Sequence, residues 1–322
     1  MGKPEGDIVQ ILCYYPAMSA ENVESLRRVA GSHHVEAAHN IDEAIMHAPG
    51  SAAVLGFLPE RVFAVCTSLQ WFQSASAGMD QVLYPALVQS DVEVTNMAGL
   101  YARAGAEQAW ALWLALARGL PTAMRGFADR RWQPFPVHSV GESTVLVLGM
   151  GGFGQEFVKR AAGYDLHILA LDPVQESYSG VAEIRPPSKD NLHQWLPQVD
   201  AVICACPLTA ETYHLIGARE LDLMKPSAYL INVSRGGIVD EDALREALHA
   251  GDIAGAGLDV VEQEPLPRTS PLWEAPRLVV TPHRAGFSPD RHQNVVDFFC
   301  ANVRRFVAGQ PLQNVVDKRL GY

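Results

Sequence analysis

A chain of 322 residues exceeds what one hydrophobic core usually serves, which predicts two domains. With 48% hydrophobic and 19% charged residues it has the composition of a folded protein rather than a disordered one. The formal net charge of −11, with no run of Lys or Arg, argues against a nucleic-acid partner, and an anionic substrate would need positive charge concentrated at single arginines.

The amino-terminal Met1-Gly2-Lys3-Pro4-Glu5-Gly6 lacks the apolar core of a signal peptide. The apolar run Ala109–Ala117 stops at Arg118, well short of the about 18 residues of a membrane span. The five cysteines, Cys13, Cys66, Cys204, Cys206 and Cys300, form neither a CxxC pair nor a ligand spacing with histidines. Reduced thiols, no metal site and a cytoplasmic location are the expectation.

In chain order, Ile8–Cys13 reads as a strand and Ala20–Ala30 as a helix capped by Ser19. Ala52–Leu55, Leu69–Ser74 and Val92–Val94 read as further strands of a small parallel α/β unit. Residues 101–119 predict one long helix closed by Gly119 and Pro121, and 129–143 predict a loop. From Thr144 a second series begins. Its expected strands are Thr144–Leu148, Leu166–Leu171, Val199–Ala205, Ala228–Val233, Ala254–Leu258 and Leu278–Val280. Its expected helices are Gln155–Ala162, Lys189–Leu196, Ala218–Met224 and Glu241–Ala250, and a last helix runs to Val307. Strands alternating with helices predict an α/β fold of two doubly wound parallel-sheet domains: a Rossmann-like one over 99–288, and a smaller flavodoxin-like one from 1–98 and 289–322.

Gly149-Met150-Gly151-Gly152-Phe153-Gly154 fits G-x-G-x-x-G between an expected strand and an expected helix. Gly149 permits the turn, Gly151 lets backbone approach a pyrophosphate, and Gly154 lets helix and strand pack closely. The phosphates would meet N–H groups at the helix start, near Phe153 and Gly154. About twenty residues on, Asp172 ends the next strand, where a carboxylate accepts from the adenosine ribose hydroxyls and repels a 2′-phosphate. NAD is the expected cofactor.

Three more segments fall at the carboxyl ends of expected strands: Asn232-Val233-Ser234-Arg235-Gly236-Gly237, Leu258-Asp259 to Glu264-Pro265, and Thr281-Pro282-His283. Together with Ser76-Ala77-Gly78-Met79-Asp80, Pro207-Leu208-Thr209-Ala210-Glu211-Thr212 and Pro271-Leu272-Trp273, they give the chain from about residue 76 onward a close resemblance to the D-2-hydroxyacid dehydrogenase family. The resemblance implies that Arg235, Glu264 and His283 are catalytic. It implies cofactor contacts at Pro207, Thr212, Val233, Ser234 and Asp259, and substrate contacts at Ala77, Gly78 and Met79 besides Arg235 and His283. It also implies a homodimer, with the Trp-rich helix 101–119 as its surface.

The chemistry fits those residue types. Arg235 can bind a 2-keto acid carboxylate through parallel charge-assisted hydrogen bonds. His283 can give a proton to the carbonyl oxygen as hydride reaches the carbon, and Glu264 on the other ring nitrogen fixes its tautomer. The expectation is a reductase of small 2-keto acids similar to glyoxylate or hydroxypyruvate reductases. A formate dehydrogenase is disfavoured by Glu264, where that subgroup carries Gln. The alternative is a non-catalytic NAD(H)-sensing protein of the same fold. Met79 is expected at a pocket wall, and Arg284 beside His283 is an unusual cation that leaves the substrate open.

Overall fold

The computed structural model describes residues 8–322. Met1–Gly6, read above for a signal-peptide core, lies outside the described residues. In chain order the main elements are β1 (Gln10–Tyr14), α1 (Ala20–Ala30), β2 (His34–Ala38), α2 (Ile41–His47), β3 (Ser51–Gly56), α3 (Glu60–Phe63), β4 (Trp71–Ser74), α4 (Pro85–Gln89), β5 (Glu93–Thr95), α5 (Ala102–Ala117) and α6 (Leu120–Ala128). There follow β6 (Thr144–Leu148), α7 (Gly152–Arg160), β7 (His167–Leu171), β8 (Glu183–Arg185), α8 (Lys189–Trp195), β9 (Ala201–Cys204), α9 (Ala218–Leu223), β10 (Tyr229–Asn232), α10 (Glu241–Ala250), β11 (Gly255–Leu258), β12 (Leu278–Val280) and α11 (Arg291–Val307).

The chain divides into two units, one ending at Leu100 and resumed by Ser288–Tyr322, the other Tyr101–Phe287. The first holds a parallel sheet of order β2-β1-β3-β4-β5. This is the flavodoxin-like doubly wound order. Its central strand β3 is buried throughout, which suits the run Ala52-Ala53-Val54-Leu55. Ser19 caps α1 as expected, accepting from the Asn22 N–H at 3.2 Å. On α11, Val295, Val296, Phe299, Val303 and Phe306 are buried, and the Phe306 ring lies 4.9 Å from Trp71.

The second unit holds a seven-stranded parallel sheet, β12-β11-β10-β9-β6-β7-β8. Numbered from β6, this is the Rossmann order with a seventh strand, and its switch point lies between β6 and β9. Alternate strand residues feed two cores. Leu146, Leu148, Val202 and Leu230 join one with Leu192, Leu221 and Leu244 from helices. Val145, Val147, Ile203 and Ile231 join the other with Trp113 and Phe157. Both faces are therefore covered, as the continuous apolar strands require.

Two expectations are corrected here. The helix starting near residue 101 ends at Ala117. Gly119, at φ +66°, turns the chain, and Pro121 sits in the first turn of α6, where its missing N–H costs nothing. The Trp-rich face of α5 is no outer surface. Trp110 is 6% and Trp113 1% exposed, and the Trp110 ring stacks at 4.8 Å on Phe157 and 4.7 Å on Tyr164. The exposed large apolar side chains nearby are Leu120, Met124 and Phe127 on α6, and Trp132 beyond it. No helix among the described residues is long and apolar enough to cross a membrane.

Candidate active site

The glycine loop joins β6 to α7 at the switch point of the sheet. Gly149 has φ +98°, and a Cβ there would lie 2.9 Å from the Ala205 carbonyl, so the close approach of the loops after β6 and β9 demands glycine. A Cβ on Gly154 would lie 2.1 Å from the Gly149 oxygen, while one on Gly151 would meet nothing within 4 Å. The first and third glycines thus serve packing, and the second faces open space. Gly151 caps α7 without a side-chain hydrogen bond. The N–H groups of its first turn are therefore left without a side-chain cap, the chemistry a pyrophosphate requires. The Phe153 side chain turns away into α5, where a Cβ on Gly105 would lie 2.6 Å from its ring.

Asp172 follows β7. Its Oδ2 accepts from the Met150 N–H at 2.7 Å, inside the glycine loop, and its Oδ1 accepts from the Val174 and Gln175 N–H groups at 2.9 and 2.8 Å. The carboxylate is held at the edge of the phosphate cradle. These features together fit a dinucleotide.

After β9, the Thr212 hydroxyl donates to the Pro207 carbonyl at 2.7 Å and accepts from the Thr209 N–H at 2.8 Å, so this side chain shapes the 207–212 loop. The Ser234 hydroxyl donates to the Cys206 carbonyl, and Val233 is buried. Burial pushes the Cys206 thiol up to about 12, so it stays protonated and is no nucleophile at neutral pH. All five cysteines are free thiols.

The proposed catalytic residues stand on loops after three adjacent strands, β10, β11 and β12, whose ends are in register: Asn232 beside Leu258, and Leu258 beside Val280. A Cβ on Gly236 would lie 2.0 Å from the Val261 carbonyl carbon, so the Arg235 loop passes directly over the segment leading to Glu264. Glu264 Oε1 accepts from the Val261 N–H at 3.2 Å. Its Oε2 lies 2.7 Å from His283 Nδ1. The pair is open to solvent, His283 45% and Glu264 36% exposed by side chain. With Nδ1 on the carboxylate, Nε2 is left for proton exchange. Arg235 Nη1 donates to the Ser234 carbonyl at 2.8 Å.

The supporting roles of two residues, Asn232 and Asp259, escaped the reading of the sequence. Asn232 is fully buried at the end of β10. Its Oδ1 accepts from the Ser234 N–H at 3.1 Å, and its Nδ2 donates to the Arg235 carbonyl at 2.8 Å. A polar residue closing an apolar strand was the available signal. Asp259, expected only as a cofactor contact, is 1% exposed and fastens the His283 turn, accepting from the Arg284 and Ala285 N–H groups at 2.9 and 2.7 Å. Glu107 pairs with Arg160 at 3.2 Å, joining α5 to α7. The Arg284 guanidinium lies 3.6 Å above the Phe287 ring.

In the first unit, Ala77-Gly78-Met79 follows β4. The expectation for Met79 is corrected: its side chain is 1% exposed and packs with Leu12, Leu58 and Leu87, so it lines no pocket wall. Among the described residues no hydrogen bond engages the N–H groups of Ala77, Gly78 or Met79. The Asn96 side chain braces the turn by donating to the Ala77 carbonyl at 2.9 Å.

The Rossmann sheet and its glycine cradle define a dinucleotide-binding domain. Comparison with known proteins supplies the family. The sequence model of the D-isomer specific 2-hydroxyacid dehydrogenase NAD-binding domain matches residues 110–285, and the chain belongs to that family. It is 33% identical over 269 residues to a glyoxylate reductase of Korarchaeum cryptofilum, covering 80% of this chain and 79% of that one. It is 35% identical over 253 residues to a glycerate dehydrogenase of Methylorubrum extorquens, covering 76% and 77%. Among solved structures, a D-isomer specific 2-hydroxyacid dehydrogenase from Xanthobacter autotrophicus in complex with NADPH superposes with a TM-score of 0.84 at 29% identity. It covers 98% of this chain and all of the other. The protein is thus a dehydrogenase of 2-hydroxy acids with a nicotinamide dinucleotide cofactor.

Proposed function

We propose that the chain reduces a small 2-keto acid, of the glyoxylate or hydroxypyruvate kind, to its D-2-hydroxy acid with NADH. The observation that carries this is the 2.7 Å His283–Glu264 pair, on the sheet edge that also holds the Arg235 loop and, at its switch point, the glycine cradle. Bound NADH supplies the hydride. The N–H groups at the start of α7 hold its pyrophosphate, and Asp172 takes its ribose hydroxyls. Arg235 binds the substrate carboxylate and so orients the neighbouring carbonyl. His283 Nε2 gives its proton to the carbonyl oxygen as the carbon accepts hydride, and Glu264 holds the ring. In the reverse direction the same nitrogen removes the hydroxyl proton. The turn 77–79, with three unengaged N–H groups, has the chemistry for a carboxylate as well.

The choice of NADH rests on Asp172, whose carboxylate would face a 2′-phosphate with like charge. The Xanthobacter structure binds NADPH, so the point is worth measuring. Steady-state reduction of a panel of 2-keto acids, run with each cofactor, should give the higher kcat/KM with NADH. A higher value with NADPH would overturn the role given to Asp172. NADH binding without turnover of any keto acid would overturn the catalytic reading in favour of a sensor.

A further inference from the structure

His283 has φ +51°. A side chain larger than glycine holds that left-handed conformation only where its surroundings enforce it. Here the surroundings are explicit. The His283 N–H donates to the Asp259 carbonyl at 2.8 Å, and the next two N–H groups donate to the Asp259 carboxylate. That carboxylate is itself gripped from the other side, with the Thr281 hydroxyl 2.5 Å from Oδ1. The Thr281 oxygen then accepts from Gln108 Nε2, on α5, at 2.9 Å.

The proton count fixes the direction of this chain. An ionised carboxylate only accepts, so the single hydroxyl proton of Thr281 goes to Asp259. The Thr281 oxygen can then only accept from Gln108, which sets the amide orientation. Helix α5 is a firm anchor, because Ala106 and Ala109 on either side of this position are buried, as are Trp110, Leu112 and Trp113 beyond it.

We infer that Gln108 and Thr281 are positioning residues for His283. They hold the Asp259 carboxylate in the one orientation that keeps the histidine turn in its left-handed form with Nδ1 against Glu264. The inference rests on the proton-transfer role proposed for His283. Neither residue touches the reacting atoms, so the expected loss falls on kcat. A displacement of about 1 Å at a proton donor can lower turnover by up to about 10²-fold.

The test uses Thr281→Val, Thr281→Ser, Gln108→Leu and the Val–Leu double variant in the full-length protein. Thr281→Val should lower kcat about tenfold, with KM for keto acid and NADH within about twofold. Gln108→Leu should lower kcat less, and Thr281→Ser should stay within about twofold of the parent. Because Gln108 acts on the carboxylate only through the Thr281 hydroxyl, the double variant should be no slower than Thr281→Val. Hydrogen exchange of the 281–287 segment should rise in Thr281→Val and Gln108→Leu while the rest of the chain is unchanged. Exchange can be read whether or not any keto acid is reduced, so failure of the bracket is distinguishable from failure of the catalytic reading. Parental kcat with parental exchange in Thr281→Val, or multiplicative losses in the double variant, would overturn the inference.

Discussion

Replacing His283 with glutamine should lower kcat for keto-acid reduction by about 10²–10⁴-fold, the usual contribution of a positioned general acid. Glutamine is similar in length and can still donate a hydrogen bond, but it cannot deliver a proton and take another from solvent. The side chain is nearly half exposed, and the turn that carries it is fastened through backbone N–H groups. The variant should therefore fold and bind NADH with unchanged affinity. Steady-state kinetics at saturating NADH, with cofactor binding followed by fluorescence, check both halves. Near-parental turnover would remove His283 from the mechanism.

Arg235→Leu should damage kcat and KM together. A bidentate guanidinium–carboxylate contact both binds the substrate and aims its carbonyl, so its loss reaches ground state and transition state alike. Each charge-assisted hydrogen bond is worth about 1.5–3 kcal/mol, and losing two should lower kcat/KM by at least about 10²-fold. The loop itself should survive, because Asn232 holds it through the backbone at 232–235. Arg235→Lys should recover only part of the loss, since an ammonium keeps the charge but not the planar fork. A leucine variant with a raised KM and parental kcat would reduce Arg235 to a simple binding contact.

The elements that the sequence displayed most plainly are those with a clear apolar pattern, a strand buried on both faces or a helix with one apolar stripe. Strand β6 and the expected strand Thr144–Leu148 coincide, and α10 runs over Glu241–Ala250 as expected, with Asp240 accepting from the Ala243 N–H at its start. The glycine loop was legible from its spacing between a strand and a helix, and Gly149 and Gly154 each answer a steric demand there. Elements that hide their signal went unread. Strand β2, His34-Val35-Glu36-Ala37-Ala38, lies at a sheet edge and mixes polar with small residues, and β8 at the other sheet's edge spans only Glu183–Arg185. Helix α2 did carry a cue, Asn40 with Glu43, since the Asn40 side chain accepts from the Glu43 N–H at 2.9 Å. Burial was read less well than periodicity. Nothing local distinguishes a tryptophan stacked on Phe157 from one awaiting a partner subunit, nor a methionine in a core from one at a pocket wall. The support behind His283 was out of reach for the same reason. Gln108 and Thr281 meet across 173 residues of chain, and nothing in the Thr281-Pro282-His283 segment points to Gln108.

The account depends on hydride reaching the carbon next to the substrate carboxylate while His283 supplies the proton. NADH carrying deuterium at nicotinamide C4, supplied with the best keto acid of the panel, tests this most directly. The account predicts deuterium at C2 of a D-2-hydroxy acid, with solvent providing only the exchangeable hydroxyl proton. With NADH dideuterated at C4, a product without deuterium at C2, or a product of L configuration, would contradict it.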